Sequence, residues 1–226
     1  MNKITIAIIF LLFLNNSFAN NFMAPDAELE YAAAFDYRVC PQINNATPIT
    51  DQMVLKLDNI LSSFTANWNQ DNQNFWKVIY ETLNKNYPDR ELKASLTLCS
   101  SFPGAIAYPL MINASPFIRT QAPPLYLLTN LIFHEMLHIF LINHYPSTNP
   151  PLFNTPLLIK YSNENMVVKM HLHLFSLQYS VYKSLAREKE LIDFIQRTAD
   201  PDFARAWTIV QNEEVQSFIE ELKERN

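Results

Sequence analysis

Two histidines and a glutamate in the middle of the chain have the types and spacing of a metal site. Residues 134–138 read H-E-M-L-H, so His134 and His138 lie four residues apart. In a helix this spacing brings both imidazoles to one face, about one turn apart, where they can bind one metal ion together. Zinc accepts neutral imidazole ligands and lowers the pKa of a bound water to about 7. Glu135 is then placed to take a proton from that water and deliver it to a leaving amine.

The motif is specific because histidine is scarce in this chain. Only 5 of the 226 residues are His, and the alternative interpretation is a helix that buries two histidines. H-E-x-x-H resembles the motif of the zincins, the zinc metallopeptidases. The resemblance implies one Zn²⁺ per chain and hydrolysis of peptide bonds through a zinc-bound water activated by Glu135. Two alternatives stay open: a zinc hydrolase acting on a non-protein or cell-wall peptide substrate, and a non-catalytic helical binding protein that retains the motif.

A third protein ligand must come from outside the motif, and three residues are candidates. Glu164 follows His138 by 26 residues and resembles the glutamate ligand of the gluzincin group, which makes it the preferred prediction. His144 has the spacing of the third metzincin histidine, but Leu141 stands where that group has a glycine. A continuing helix would rotate His144 away from the metal. His171 shares a helical face with Glu164; if Glu164 is the ligand, we expect His171 to assist catalysis by stabilising an oxyanion or by orienting a ligand.

The N-terminus has the pattern of an export signal. Lys3 precedes an apolar run from Ile4 to Leu14, and Ser17-Phe18-Ala19 resembles a cleavage site. We therefore expect cleavage after Ala19 and an exported chain, periplasmic or secreted. No later segment is long and apolar enough to predict stable membrane insertion.

The composition narrows the environment and the partners of the chain. Cys40 and Cys99 are its only cysteines. In an oxidising compartment such a pair is most simply a disulfide, with two separate buried thiols as the alternative. The net charge is -5, without a basic run, so we expect no nucleic acid partner. The zincin resemblance implies a peptide or protein substrate.

We predict a mainly helical α+β fold of the zincin type, in one domain. Residues 1–19 form the signal and 20–226 the domain, in which 20–90 are a helical layer, 91–186 the catalytic core and 187–226 C-terminal helices. Because 49% of the residues are hydrophobic, the chain can bury one sizeable core. With only 1 Gly, its helices should be joined by proline-containing loops.

Hydrophobic periodicity indicates the individual elements. Helices are predicted over 25–39, 50–68, 72–86, 163–186 and 191–197, and in one further segment starting at Asp200. A small β-hairpin or short sheet over 91–99 and 105–112 precedes the helix with the motif, which should begin at Pro123-Pro124 and end near Asn143. Ser162 is the expected cap of the helix that supplies the third ligand. The zincin resemblance implies that a strand before the motif helix binds extended peptide at a sheet edge.

Overall fold

The computed structural model describes residues 22–43, 46–119, 121–145, 155–198 and 200–225. Its strands are β1 (Asp26–Tyr31), β2 (Glu91–Thr97), β3 (Ala105–Ile106) and β4 (Met111–Asn113). Its helices are α1 (Ala33–Arg38), α2 (Asp51–Leu83), α3 (Tyr126–His144), α4 (Pro156–Lys160), α5 (Met166–Ser184), α6 (Glu188–Thr198), α7 (Pro201–Glu213) and α8 (Val215–Glu224). The described chain is mainly helical with a small mixed sheet, as the α+β prediction required. The predicted export signal, residues 1–19, lies outside the described residues.

The sheet has the strand order β1-β2-β4-β3. β1 and β4 both run parallel to β2, and β3 is an antiparallel edge strand beside β4. The prediction of a helix over 25–39 was wrong for residues 26–31, which form β1, and the helix is confined to α1. The reason is long-range pairing: β1 aligns with β2 along its whole length, and Ala27 enters the core. Sheet hydrogen bonds to a distant strand override local helix preference.

Helix α2 is a single helix of 33 residues, where two helices were predicted. The polar stretch between the two predicted helices, residues 69–71, resembles a linker. The side chains on either side of it, however, bind the main chain ahead of and within β1. Trp68 donates from Nε1 to the Ala27 carbonyl at 3.3 Å, and Asn72 donates from Nδ2 to the Pro25 carbonyl at 2.7 Å. These tertiary partners make a continuous helix favourable through a polar segment. Asn84, with a φ of 53°, ends it in the left-handed conformation that often closes helices.

Helix α3, which carries the motif, runs through the core of the protein. Its own apolar side chains lie on all sides of the helix, and most of its residues are buried. This is the pattern of a helix that runs through a protein interior. Phe133 packs 4.6 Å from Phe75 and 5.5 Å from Trp76, both on α2, measured between ring centroids. The buried apolar side chains form one continuous cluster that extends from Ala27 to Leu222. Among the described residues, no helix combines the length and apolarity needed to cross a membrane.

The C-terminal helices differ from the prediction at their ends. Asn165 caps α5 by accepting from the Val168 N–H at 2.9 Å, so the helix begins later than the predicted cap at Ser162. The last predicted helix begins after Asp200 as expected, but Glu214, with a φ of 68°, divides it into α7 and α8. Both α7 and α8 pack against α5. They hold α5 in place behind the motif helix.

The predicted disulfide between Cys40 and Cys99 is confirmed. The two Cα atoms lie 5.6 Å apart, with a sequence separation of 59 residues. The bond joins the turn after α1 to the end of β2. It therefore closes a loop that includes all of α2.

Candidate metal centre

Helix α3 presents His134 and His138 on one face, as the spacing predicted. Their ring centroids are 5.0 Å apart. His134 is 1% exposed and His138 is half-buried. Because residues four apart are neighbours on a helix surface, local geometry alone sets this pair. The burial of α3 then carries both rings into the interior.

His171 of α5 joins the pair and completes a cluster of three imidazoles. Its ring centroid lies 5.1 Å from that of His134 and 5.0 Å from that of His138. One nitrogen of each ring belongs to a set whose members all lie within 4.8 Å of one another. Among the described residues, this is the only group of three or more His, Cys, Asp and Glu side chains with such a spacing.

Hydrogen bonds fix the proton position on two of the three rings. Nδ1 of His134 lies 3.2 Å from Oε1 of Gln178, and Nδ1 of His171 lies 2.6 Å from the Val167 carbonyl oxygen. Both oxygens are acceptors, so each Nδ1 carries the proton and donates it. Nε2 of His134 and of His171 is then the nitrogen with a free lone pair.

The two free lone pairs face each other. Nε2 of His134 lies 3.2 Å from Nε2 of His171. Two neutral nitrogens without protons repel at this distance, whereas a cation between them attracts both. In a tetrahedral site with Zn–N bonds of about 2.0–2.1 Å, two ligand nitrogens are separated by about 3.3 Å. The side-chain positions therefore fit a shared metal ion.

Aromatic side chains from three helices pack against the cluster. Phe203 of α7 lies 4.3 Å from His171 and 5.3 Å from His134, and Phe175 lies within 5.6 Å of both. Phe194 of α6 lies 5.8 Å from His134. An apolar surrounding strengthens electrostatic interactions within the site.

Burial keeps the three imidazoles neutral. It lowers the pKa of His134 well below its ordinary value, with further contributions from His138 and His171. It also lowers the pKa of His138 to about 3, again with a contribution from His171, and it lowers the pKa of His171. Neutral imidazole is the form that binds metal ions. At neutral pH, binding therefore displaces no proton from these rings.

Glu135 is buried next to the first histidine. Its side chain is 9% exposed, and burial raises the pKa of its carboxyl group to about 7. Within the described part of the chain, no side chain or main-chain group forms a hydrogen bond with it. A buried carboxyl group normally has such partners. Glu135 therefore has the poised pKa and free oxygens that a general base requires.

Glu164, the preferred third ligand, lies apart from the cluster. One of its oxygens accepts from Nε and Nη2 of Arg205, at 3.0 and 2.5 Å. The physical reason is the late start of α5. Asn165 caps that helix, so Glu164 precedes it and is not on the helical face that carries His171. Of the three candidates for the third ligand, His171 is therefore the one that lies beside His134 and His138, although Glu164 was preferred from the sequence.

The two other histidines have different surroundings. His144, weighed as a metzincin-like ligand, lies in the last turn of α3 with Nε2 2.7 Å from the Asn86 carbonyl oxygen. His173 lies on the opposite side of α5, with Nε2 2.7 Å from a carboxylate oxygen of Glu221. Neither belongs to the cluster.

Gln178 is the residue at the site that sequence reasoning missed. It is fully buried on α5 and binds His134. The available signal was its position seven residues after His171, which places both side chains on one helical face two turns apart. Gln178 is uncharged, whereas the usual hydrogen-bond partner of a metal-binding histidine is a carboxylate or a carbonyl oxygen. Its residue type therefore did not indicate a role at a metal site.

Comparisons with protein-family models, with curated proteins and with solved structures gave no match for this chain. What the centre can do follows from its own side chains. Three imidazole nitrogens suit Zn²⁺ and neighbouring divalent transition metals. Three protein ligands also leave a fourth tetrahedral position for a water molecule or a substrate atom.

Proposed function

We propose that this chain is an exported zinc hydrolase of the metallopeptidase type. His134, His138 and His171 hold the ion, and Glu135 is the general base. The observation that carries the proposal is the meeting of three imidazoles at one point. The buried Glu135 carboxyl group, which directly follows His134 and has no hydrogen-bond partner among the described residues, supports it. The order of the elements, a small sheet followed by the motif helix and a second ligand-bearing helix, supports the resemblance to zincins.

Each side chain has a distinct part in the proposed reaction. A zinc ion held by three imidazoles would acidify a water molecule and polarise the carbonyl group of a substrate. Glu135 accepts the proton of that water during attack and delivers it to the leaving amine. The Gln178 and Val167 oxygens keep two ligand rings oriented. The aromatic side chains around His134 and His171 lower the polarity on that side of the site.

The resemblance of the H-E-x-x-H motif to that of zincins also suggests the substrate class. Extended peptide would add to the free edge of β3. This strand is one of the two edge strands of the sheet and packs against α3. Export is supported by the Cys40–Cys99 disulfide, since such bonds persist in oxidising compartments. A cell-wall peptide offers the same amide chemistry and is the alternative substrate.

Metal analysis tests the centre directly. We expect a single zinc ion per chain in the purified mature protein, retained in Glu164→Gln and His144→Ala. His171→Ala and His134→Ala should lose it, because each removes one of three nitrogen ligands. Loss of zinc in Glu164→Gln with retention in His171→Ala would restore the gluzincin-like ligand set. A wild-type protein that binds no zinc after reconstitution would overturn the proposal.

A second candidate is a non-catalytic domain that uses the metal for stability. The burial of His134 and His171, at 1% and 6% exposure, favours it, because a substrate would have little access to an ion held by these rings. The two candidates differ in turnover. Stoichiometric zinc with no hydrolysis of proteins, short peptides or cell-wall fragments would favour the structural role.

A further inference from the structure

A chain of buried amide groups leads from His134 to the start of α3. Gln178 is 0% exposed and its Oε1 lies 3.2 Å from Nδ1 of His134. Its amide nitrogen lies 3.5 Å from both the carbonyl oxygen and Oδ1 of Asn130. Asn130 in turn donates from Nδ2 to the Tyr126 carbonyl oxygen at 2.9 Å. The whole chain lies in the interior, where an unpaired polar group is costly.

The chain determines which way each amide group points. Because Nδ2 of Asn130 is engaged by a carbonyl oxygen, its Oδ1 must face Gln178. The Gln178 amide nitrogen then faces two acceptors, and its oxygen is directed at His134. An oxygen in that place accepts only from a protonated Nδ1, so Nε2 is left free on the side of the cluster.

We propose that Gln178 is a positioning residue of the metal centre: it selects the His134 tautomer and holds the ring with Nε2 directed at the ion. The inference rests on the proposed metal site and adds a residue that no motif indicated. Outer partners of this kind raise metal affinity by orienting a ligand and by increasing its basicity. Since Gln178 is uncharged, it performs this task without adding a negative charge beside the ion.

Zinc affinity of the full mature chain is the test, measured by competition with a chelator. Gln178→Met keeps the length of the side chain but removes the acceptor, and should weaken Zn²⁺ binding about 10- to 100-fold. Gln178→Glu restores an acceptor at the same place and should bind Zn²⁺ at least as tightly as the wild type. Asn130→Ala removes one of the two groups that orient the Gln178 amide and should give a smaller loss.

Ser176→Ala is the matched control, because Ser176 is equally buried on α5 and its hydroxyl donates to the Leu172 carbonyl oxygen. Its zinc affinity should equal that of the wild type. Wild-type affinity in Gln178→Met would overturn the role of Gln178. Equal losses in Gln178→Met and Gln178→Glu would also overturn it, since damage to packing would then explain both. Absence of zinc from the wild type would instead overturn the proposed function.

Discussion

At the scale of single residues, two glutamates show how the surroundings decide chemistry. Glu135 directly follows His134 on α3, and burial raises its carboxyl pKa to about 7. Glu164 binds Arg205 near the surface and has its charge compensated there. One carboxyl group is therefore poised to exchange a proton near neutral pH, while the other serves an ion pair that connects α7 to the segment before α5.

Replacing Glu135 tests its role without removing a ligand. Glu135→Gln should retain zinc and lose hydrolytic turnover by at least about 100-fold, because general base catalysis contributes about 10²–10⁴-fold. Turnover of a peptide library by zinc-loaded protein is the measurement, with Glu164→Gln as a control that should keep wild-type activity. Full turnover in Glu135→Gln would exclude the proposed mechanism.

At the scale of elements, helix α5 uses two histidines two residues apart for different purposes. His171 faces α3 and the rings of His134 and His138. His173 faces α8, where its Nε2 lies 2.7 Å from Glu221 and its ring 5.4 Å from that of Phe218. Glu221 also accepts from the Leu157 N–H at 3.0 Å, at the start of α4. Helix α8 thus connects α4 to the back of α5, on the side away from the histidine cluster.

The Glu221 carboxylate should make a pH-dependent contribution to stability. Burial acts to raise its pKa, but hydrogen bonds from His173, the Leu157 N–H and Thr155 outweigh burial, so the pKa lies below its ordinary value. A lowered folded-state pKa means that stabilisation is present above the unfolded pKa of about 4.3 and is lost as pH falls through the folded value. Glu221→Gln should lower the free energy of unfolding by about 1–3 kcal/mol at pH 7.

Urea unfolding of the metal-free protein at pH 7 and below pH 4 measures this contribution. The difference between Glu221→Gln and the wild type should shrink at the lower pH. Glu220→Gln is the matched control. The Glu220 carboxylate is next to Glu221 in the sequence but is exposed, and its one hydrogen bond within the described residues comes from Gln216. A constant difference across the pH range would show that the carboxylate charge contributes nothing.

At the scale of the whole molecule, one covalent bond and one buried carboxylate join the N-terminal segment to the sheet. Cys40 binds Cys99 just beyond β2. Asp36 of α1 is 1% exposed and accepts from the Thr97 hydroxyl and from the Leu98 N–H. Together they fix α1 against the end of β2. The histidine cluster lies on other elements, α3 and α5, and does not depend on this junction for its three side chains.

Removal of the disulfide should therefore lower stability and leave the metal centre intact. The bond closes a loop with a separation of 59 residues, for which the chain-entropy estimate is about 4 kcal/mol. We expect the double variant Cys40→Ala/Cys99→Ala to unfold at lower urea concentration and still bind zinc. Addition of reductant should destabilise the wild type and leave the double variant unchanged. Equal stability of both proteins would contradict a structural role for the bond.

Part of this fold could be predicted from the sequence because it depends on residues that are close together in the chain. The position of His134 and His138 on one helical face depends only on helix geometry. The buried course of α3 follows from its continuous apolar pattern. The start of α7 after Asp200 follows from a side-chain cap and a proline, both local. The disulfide was predictable because the chain has only two cysteines and an export-like start.

The remaining features depend on partners far along the chain, which local patterns do not reveal. Residues 26–31 form a strand because they pair with β2 through main-chain hydrogen bonds. Helix α2 continues through a polar stretch because Asn72 donates a hydrogen bond to the Pro25 carbonyl oxygen, just before β1. The sequence by itself determined the two-histidine motif and its glutamate. Only the tertiary structure decided that His171 and Gln178 meet them while Glu164 binds Arg205, because the start of α5 and its packing against α3 and α7 set which side chains face the centre.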